Sequence, residues 1–143
     1  MTSENANSAA SLNGNEGSIH PAGITFPEAK AMLSTAFNIF DRWDISNEQA
    51  RTLLGNPSER DFQMWKGSEI ASVPTDTIWR LGDILGIHKA LRYMFTESQR
   101  GYEWVKKPNA RFLGKSALEV MLVGSQAHLS AIRNYLDAER GGW

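Results

Sequence analysis

Three histidines, sixteen carboxylates and no cysteine are the main stock this chain offers for acid–base, metal or nucleophilic chemistry. His20, His88 and His128 lie far apart, and none has a second ligand at metal-binding spacing. His88 falls on the inner stripe of a predicted helix, where a satisfied core histidine is the ordinary occupant. The acidic residues sit mostly at helix starts or in ion-pair positions, and no two share an apolar setting. Gly82 and Gly86 stand one turn apart inside a helical pattern, without the strand, turn and lysine of a phosphate-binding loop. The absence of cysteine removes thiolate catalysis, disulfides and Cys-based zinc, and fits a reducing, cytoplasmic setting. The expectation is no catalytic residue, no cofactor, no metal and no enzyme.

Binding chemistry is better supplied. The chain closes on Arg140-Gly141-Gly142-Trp143, a bulky apolar residue carried on two glycines beyond a helix. A Trp buries about 150–250 Å², and Trp and Arg are favoured anchors in protein interfaces. On residue chemistry alone, Trp143 fits a partner's pocket or a fold back onto its own helix equally well. Between Arg80 and Lys115 there are eight Lys or Arg and three acids, a local positive field suited to phosphates or to an anionic patch on a protein. The same run also reads as a solvated face. Net charge over the chain is −1, so no global field draws it to nucleic acid or membrane.

The elements that must position these groups read as helices. At 143 residues, with 41% apolar and 10% aromatic residues, the chain can bury a core. It has no secretory signal and no apolar run of about 20 residues, the length a membrane span needs. Residues 1–24, rich in Asn, Ser, Ala and Gly, read as a disordered leader. Thr25 and Glu28 form a capping box with Pro27 in the first turn, opening a helix to Trp43 with Ala29, Met32, Leu33, Ala36, Phe40 and Trp43 inward. Ser46 caps a second helix that stops at Gly55-Asn56-Pro57, and Ser58 caps a third that closes at Gly67. Two short helices about a tight Gly-containing turn have the helix-turn-helix pattern. Its second helix would offer Ser58, Arg60, Gln63 and Lys66 to DNA, beside the opposing charges of Glu59 and Asp61. Arg51 occupies a position where packed helices usually take a small residue. A hairpin used only for packing or dimerisation fits the same pattern.

Val73-Pro74 breaks the chain before a long helix, from Thr75 or Asp76 to about Phe95. Its two internal glycines predict close packing or a local break. Ser116 and Glu119 form another capping box, and Ser125 caps a last helix with Leu129, Ile132 and Leu136 inward and Arg133–Asp137 paired. Gly141 stands where a C′ glycine belongs. No alternating strand pattern is convincing. The fold class is all-α.

Several longer stretches have a family character. They are Leu85-Gly-Ile-His-Lys-Ala-Leu-Arg-Tyr-Met-Phe95, Trp104 with Pro108-Asn109, Gly114-Lys-Ser-Ala-Leu118, Met121 with Gly124, and Arg133-Asn-Tyr-Leu-Asp-Ala-Glu-Arg-Gly-Gly-Trp143. Together these resemble the Xre-like antitoxins of the MbcA/ParS/Xre family, partners of RES-domain toxins in bacterial type II toxin–antitoxin systems. The resemblance spans about Phe26 to Trp143. It implies an Xre-like helix-turn-helix region over 25–96 and a toxin-binding region over 97–143. It also implies a RES toxin partner, an NAD-consuming enzyme whose entrance the antitoxin blocks, and operator DNA bound for autorepression. Carried over by position, the toxin contacts are Trp104, Pro108, Asn109, Tyr135, Arg140, Gly141, Gly142 and Trp143. Two departures stand out: the turn Gly55-Asn-Pro-Ser58 is one residue longer than the common Gly-x-Ser, and Asp61 replaces a common Thr. A homodimer within a larger complex is expected, since two small regions bury little surface alone. The alternative is a DNA-binding repressor whose C-terminal region serves only dimerisation.

Overall fold

The computed structural model describes residues 11–13 and 19–141. It is mostly helical, as the sequence predicts: α1 (Phe26–Trp43), α2 (Asn47–Leu53), α3 (Glu59–Lys66), α4 (Thr75–Met94), α5 (Ser98–Trp104), a 3-10 turn at Ala110–Phe112, α6 (Ala117–Met121) and α7 (Gln126–Glu139). The caps form as written. Thr25 and Glu28, Ser46 and Gln49, and Ser116 and Glu119 each complete a reciprocal capping box. Ser58 and Ser125 accept single capping bonds from Asp61 N and His128 N.

Within the leader expected over 1–24, residues 11–13 and 19–24 are ordered. Ser11–Asn13 forms β1, paired antiparallel with Ser72–Pro74 (β2), and Leu12 is buried opposite Val73. Ile19 bridges Thr25, and His20 is buried edge-on against Trp79 at 4.9 Å between ring centroids. A three-residue strand is too short for alternation to register, and its partner lies far along the chain. The rest of that expectation, over 1–10 and 14–18, lies outside the described residues.

Helix α4 is the central element. Its buried residues include Ile78, Leu81, Ile84, Ile87, Ala90 and Leu91, together with Thr77, Arg80 and Asp83. The single inner stripe predicted from Ile78, Leu81, Leu85, His88, Leu91 and Phe95 is therefore too narrow, and Leu85, His88 and Phe95 are only half-buried. Helices α1, α5 and α7 and strand β2 all pack on α4. A helix covered on several sides carries apolar residues all round rather than on one stripe. One contiguous core runs from Leu12 and Ala29 through α4 to Ile132 and Leu136, so both sides of residue 96 feed it.

The turn between α2 and α3 is built around α4. Gly55 and Asn56 both take left-handed φ (98° and 58°), and Asn56 N returns to Arg51 O at 2.9 Å. A Cβ at Gly55 would lie 3.0 Å from Asp76 Oδ2 and 3.1 Å from Arg80 Nε, the two ends of an ion pair in the first turns of α4. Arg51 stands at a helix contact because it braces this longer turn, with its Nε donating to Pro57 O at 2.6 Å. Thr77 Oγ1 caps the end of α2 by donating to Leu54 O at 2.8 Å.

Neither glycine breaks α4, which runs continuously through both, and Gly86 marks close packing. Arg133 of α7 lies across Gly86, where a Cβ would come 2.5 Å from its Nε. Its Nη1 donates to Gly82 O at 3.1 Å and approaches Asp83 Oδ1 at 3.5 Å. Ser130 Oγ donates to Asp83 Oδ2 at 2.7 Å. Gly82 itself has nothing within 4 Å of its missing Cβ. Gly82→Ala should therefore gain about 0.5–1 kcal/mol from helix propensity alone. Gly86→Ala must displace the guanidinium and should lose that gain to the broken contacts, each worth about 1 kcal/mol. Urea midpoints of the two variants test this, and equal stabilisation would show that Arg133 does not need the glycine.

Candidate functional site

Residues 97–141 comprise helix α5, a connector over 105–116 and helices α6 and α7. Helix α5 packs on α4 through Gly101, where a Cβ would sit 3.4 Å from Leu91 Cβ and from Phe95 Cδ2. Lys106 Nζ donates to Asp44 O at 2.5 Å and ties the start of the connector to the end of α1. Pro108, exposed, stops helical continuation. Asn109 then organises a closed loop. Its Oδ1 accepts from Arg111 N at 2.9 Å, its N–H donates to Lys115 O at 3.0 Å, and its C=O accepts from Gly114 N at 2.9 Å.

Three aromatic rings join this loop to α7. Trp104 stacks parallel to Tyr135 at 6.3 Å, and Phe112 meets Tyr135 edge-on at 5.0 Å and Trp104 edge-on at 6.2 Å. Arg111 lies over the outer side of the cluster, 5.9 Å from the Tyr135 ring centroid. All three rings are half-buried against the core. Aromatic pairs of this geometry contribute roughly 0.5–1.5 kcal/mol beyond burial. The structure thus brings together Trp104, Asn109 and Tyr135, with Pro108 on the same connector. Phe112 and Arg111 complete the group; in the sequence Arg111 is only one of the eight cations between Arg80 and Lys115, and nothing singles out Phe112. Phe112 lies in a three-residue turn with no periodicity to flag it.

Arg140 takes a different neighbour. Its guanidinium stands 4.4 Å from the ring centroid of Tyr93, a largely exposed residue in the last turn of α4. Gly141 adopts φ 89° and donates to Ala138 O at 3.1 Å, the left-handed helix end that the sequence predicts. Gly142 and Trp143 lie outside the described residues.

The four residues assigned to DNA sit on the outer side of α3. Ser58, Arg60, Gln63 and Lys66 are exposed, while Phe62 and Trp65 of the same helix are buried. Lys66 Nζ donates to Asn47 Oδ1 at 2.7 Å, linking α3 back to the start of α2. A groove of about 310 Å³ between the two helices is lined by Asn47, Glu48, Arg51, Glu59, Phe62 and Gln63.

The histidines stay apart. His128 Nδ1 pairs with its own cap, Ser125 Oγ, at 2.5 Å. His88 stacks on Tyr102 and lines a cavity of about 140 Å³ with Arg42, Arg92, Thr35 and Asn38. Among the described residues no group of His, Asp and Glu is arranged to hold a metal ion. No helix there is long and apolar enough to cross a membrane.

The site is thus a braced terminal helix with an aromatic connector, and its role comes from comparison with known proteins. Residues 90–142 match the family described as the antitoxin Xre/MbcA/ParS C-terminal toxin-binding domain. The chain is also 44% identical over 112 residues to the uncharacterized protein y4oB of Sinorhizobium fredii (strain NBRC 101917 / NGR234), covering 78% of this chain and 86% of that relative. No solved structure matches. The class is therefore a toxin-binding antitoxin of a toxin–antitoxin system. More narrowly, the chain belongs to the Xre/MbcA/ParS antitoxin family. The matched domain begins inside α4, so its first helical turn belongs to the helix on which α1 and α7 also dock.

Burial, and then the charges of Arg92 and Arg42, hold the His88 imidazole below its ordinary pKa. The native state then binds fewer protons at His88 than the unfolded chain does. Its contribution is complete above the unfolded value of about 6.5 and is withdrawn as pH falls toward the lower folded value. Urea midpoints should therefore drop between about pH 7.5 and about pH 5.5, and His88→Gln should flatten that slope. A slope unchanged by His88→Gln would assign it elsewhere, with His20, also lowered by burial, as the next residue to replace.

Proposed function

We propose that this antitoxin neutralises a RES-domain, NAD-degrading toxin by occlusion, and is not itself an enzyme. In this reading α7 docks beside the toxin's NAD cleft and Arg140-Gly141-Gly142-Trp143 covers the entrance. The observation that carries it is the toxin-binding family match ending at residue 142, on a helix whose Arg140 is held against Tyr93. The left-handed Gly141 supports it, because the chain turns off the helix axis there. Trp104, Pro108, Asn109 and Tyr135 would form a second contact area on the connector. The direct test co-expresses the toxin with a chain lacking residues 140–143 and measures cellular NAD. NAD should fall with the truncated chain and hold with the full one. Full protection by the truncated chain would remove the C-terminal end from the mechanism.

Helix α3 favours a second role that is compatible with the first, autorepression through operator DNA. Its exposed Ser58, Arg60, Gln63 and Lys66 lie on one side, with Phe62 and Trp65 anchoring the other. Arg60→Ala should cost about 1–3 kcal/mol if it reads a base, whereas Lys66→Ala should mainly reduce the salt dependence of binding. A gel-shift titration on the upstream operon sequence measures both. Unchanged binding by the double variant would overturn this assignment.

A further inference from the structure

Leu113 is the most exposed large apolar residue among those described, at 92% of its full surface. It also adopts φ 59°. The other non-glycine residues with positive φ are Asp44, Asn56 and Ser68, polar types with short side chains that tolerate or bond within that conformation. A leucine gains nothing there, and its side chain packs on nothing that would offset the cost. The loop that presents it is nonetheless rigidly built. Asn109 closes it with four hydrogen bonds, the fourth donated by Phe112 N to the Asn109 C=O at 2.9 Å. Leu113 N donates to Ala110 O at 3.1 Å, and Phe112 anchors the loop in the aromatic cluster.

The charges around Leu113 are of one sign. Between Trp104 and Leu118 the chain carries Lys106, Lys107, Arg111 and Lys115 and no acid. Each of these cations is exposed, and none pairs with a described carboxylate. An apolar tip inside a cationic rim is complementary to an apolar pocket edged by carboxylates. Nucleic acid would use the rim, but it takes up a leucine only as a wedge between unstacked bases of a deformed duplex. The loop lies wholly within the matched toxin-binding domain. We infer that Leu113 is an apolar anchor that inserts into an acid-rimmed pocket on the toxin, with Lys107 and Lys115 steering the approach. The inference rests on the toxin-binding reading and adds to it a contact away from the C-terminal end.

The test uses the full chain and a RES-domain toxin, with binding and thermal unfolding measured in parallel. Leu113→Asn suits the left-handed φ and removes the apolar anchor. It should raise the thermal midpoint of the free chain while weakening the complex by about tenfold or more. Lys107→Gln with Lys115→Gln should slow association and flatten its salt dependence, with little change in dissociation. If Leu113→Asn binds the toxin as tightly as the parent chain, the anchor is overturned while the toxin-binding reading stands. A parent chain that fails to bind the toxin overturns both. Loss of duplex-DNA binding in the lysine variant, with toxin association unchanged, would assign the loop to nucleic acid and overturn the inference.

Discussion

The buried carboxylate of Asp83 is the constraint on which the placement of the last helix depends. Its side chain is 11% exposed and sits in the middle of the central helix. A charge in that position needs partners, and a carboxylate left alone there would cost several kcal/mol. Both partners come from α7: Ser130 through a 2.7 Å hydrogen bond, and Arg133 through its approach to Asp83 and its bond to Gly82 O. Gly86 exists so that Arg133 can cross at that distance. The clasp fixes α7 in rotation and along its axis, because a slip of one residue would move Ser130 and Arg133 off the carboxylate. Leu129, Ile132 and Leu136 supply the apolar part of the contact without choosing among registers. Arg133 is itself 40% exposed, so its charge pairing specifies position more than it adds stability.

The same helix holds the other half of the molecule. Asp76 and Arg80 form an ion pair under Gly55, Thr77 caps the end of α2, and Arg51 closes the turn from the far side. The position of α3 is therefore set from α4 as well as from α1. One twenty-residue helix is thus the common reference for the positions of α3 and α7. The family-matched domain accordingly begins within α4 and is continuous with the core of the preceding residues.

The connector works by a different principle. With little core of its own, it is held by aromatic contacts and by the hydrogen bonds of one asparagine side chain and backbone. Phe112 and Trp104 pack inward on Tyr135, which leaves Arg111, Leu113 and Lys115 facing solvent. Shape and charge are thus displayed on a loop whose backbone is already ordered, and a partner need not bear the entropy of ordering it.

Much of this was legible in the residues themselves. Local signals decide local structure, so the capping boxes at Thr25, Ser46 and Ser116, the stop at Gly55 and the left-handed Gly141 could all be read from spacing. The toxin-binding family could be read as well, since its motifs are contiguous stretches of α4 and α7. What could not be read depends on partners far apart in sequence. Leu12 needed Val73, and His20 needed Trp79, before the N-terminal segment could be seen to hold any order. The glycines of α4 were visibly unusual, but only Arg133, some fifty residues on, says which one is filled and which is open. Leu113 shows the limit most plainly. Nothing in the sequence sets it apart from the leucines of the core, and tertiary structure alone, by turning Phe112 inward, puts it outside.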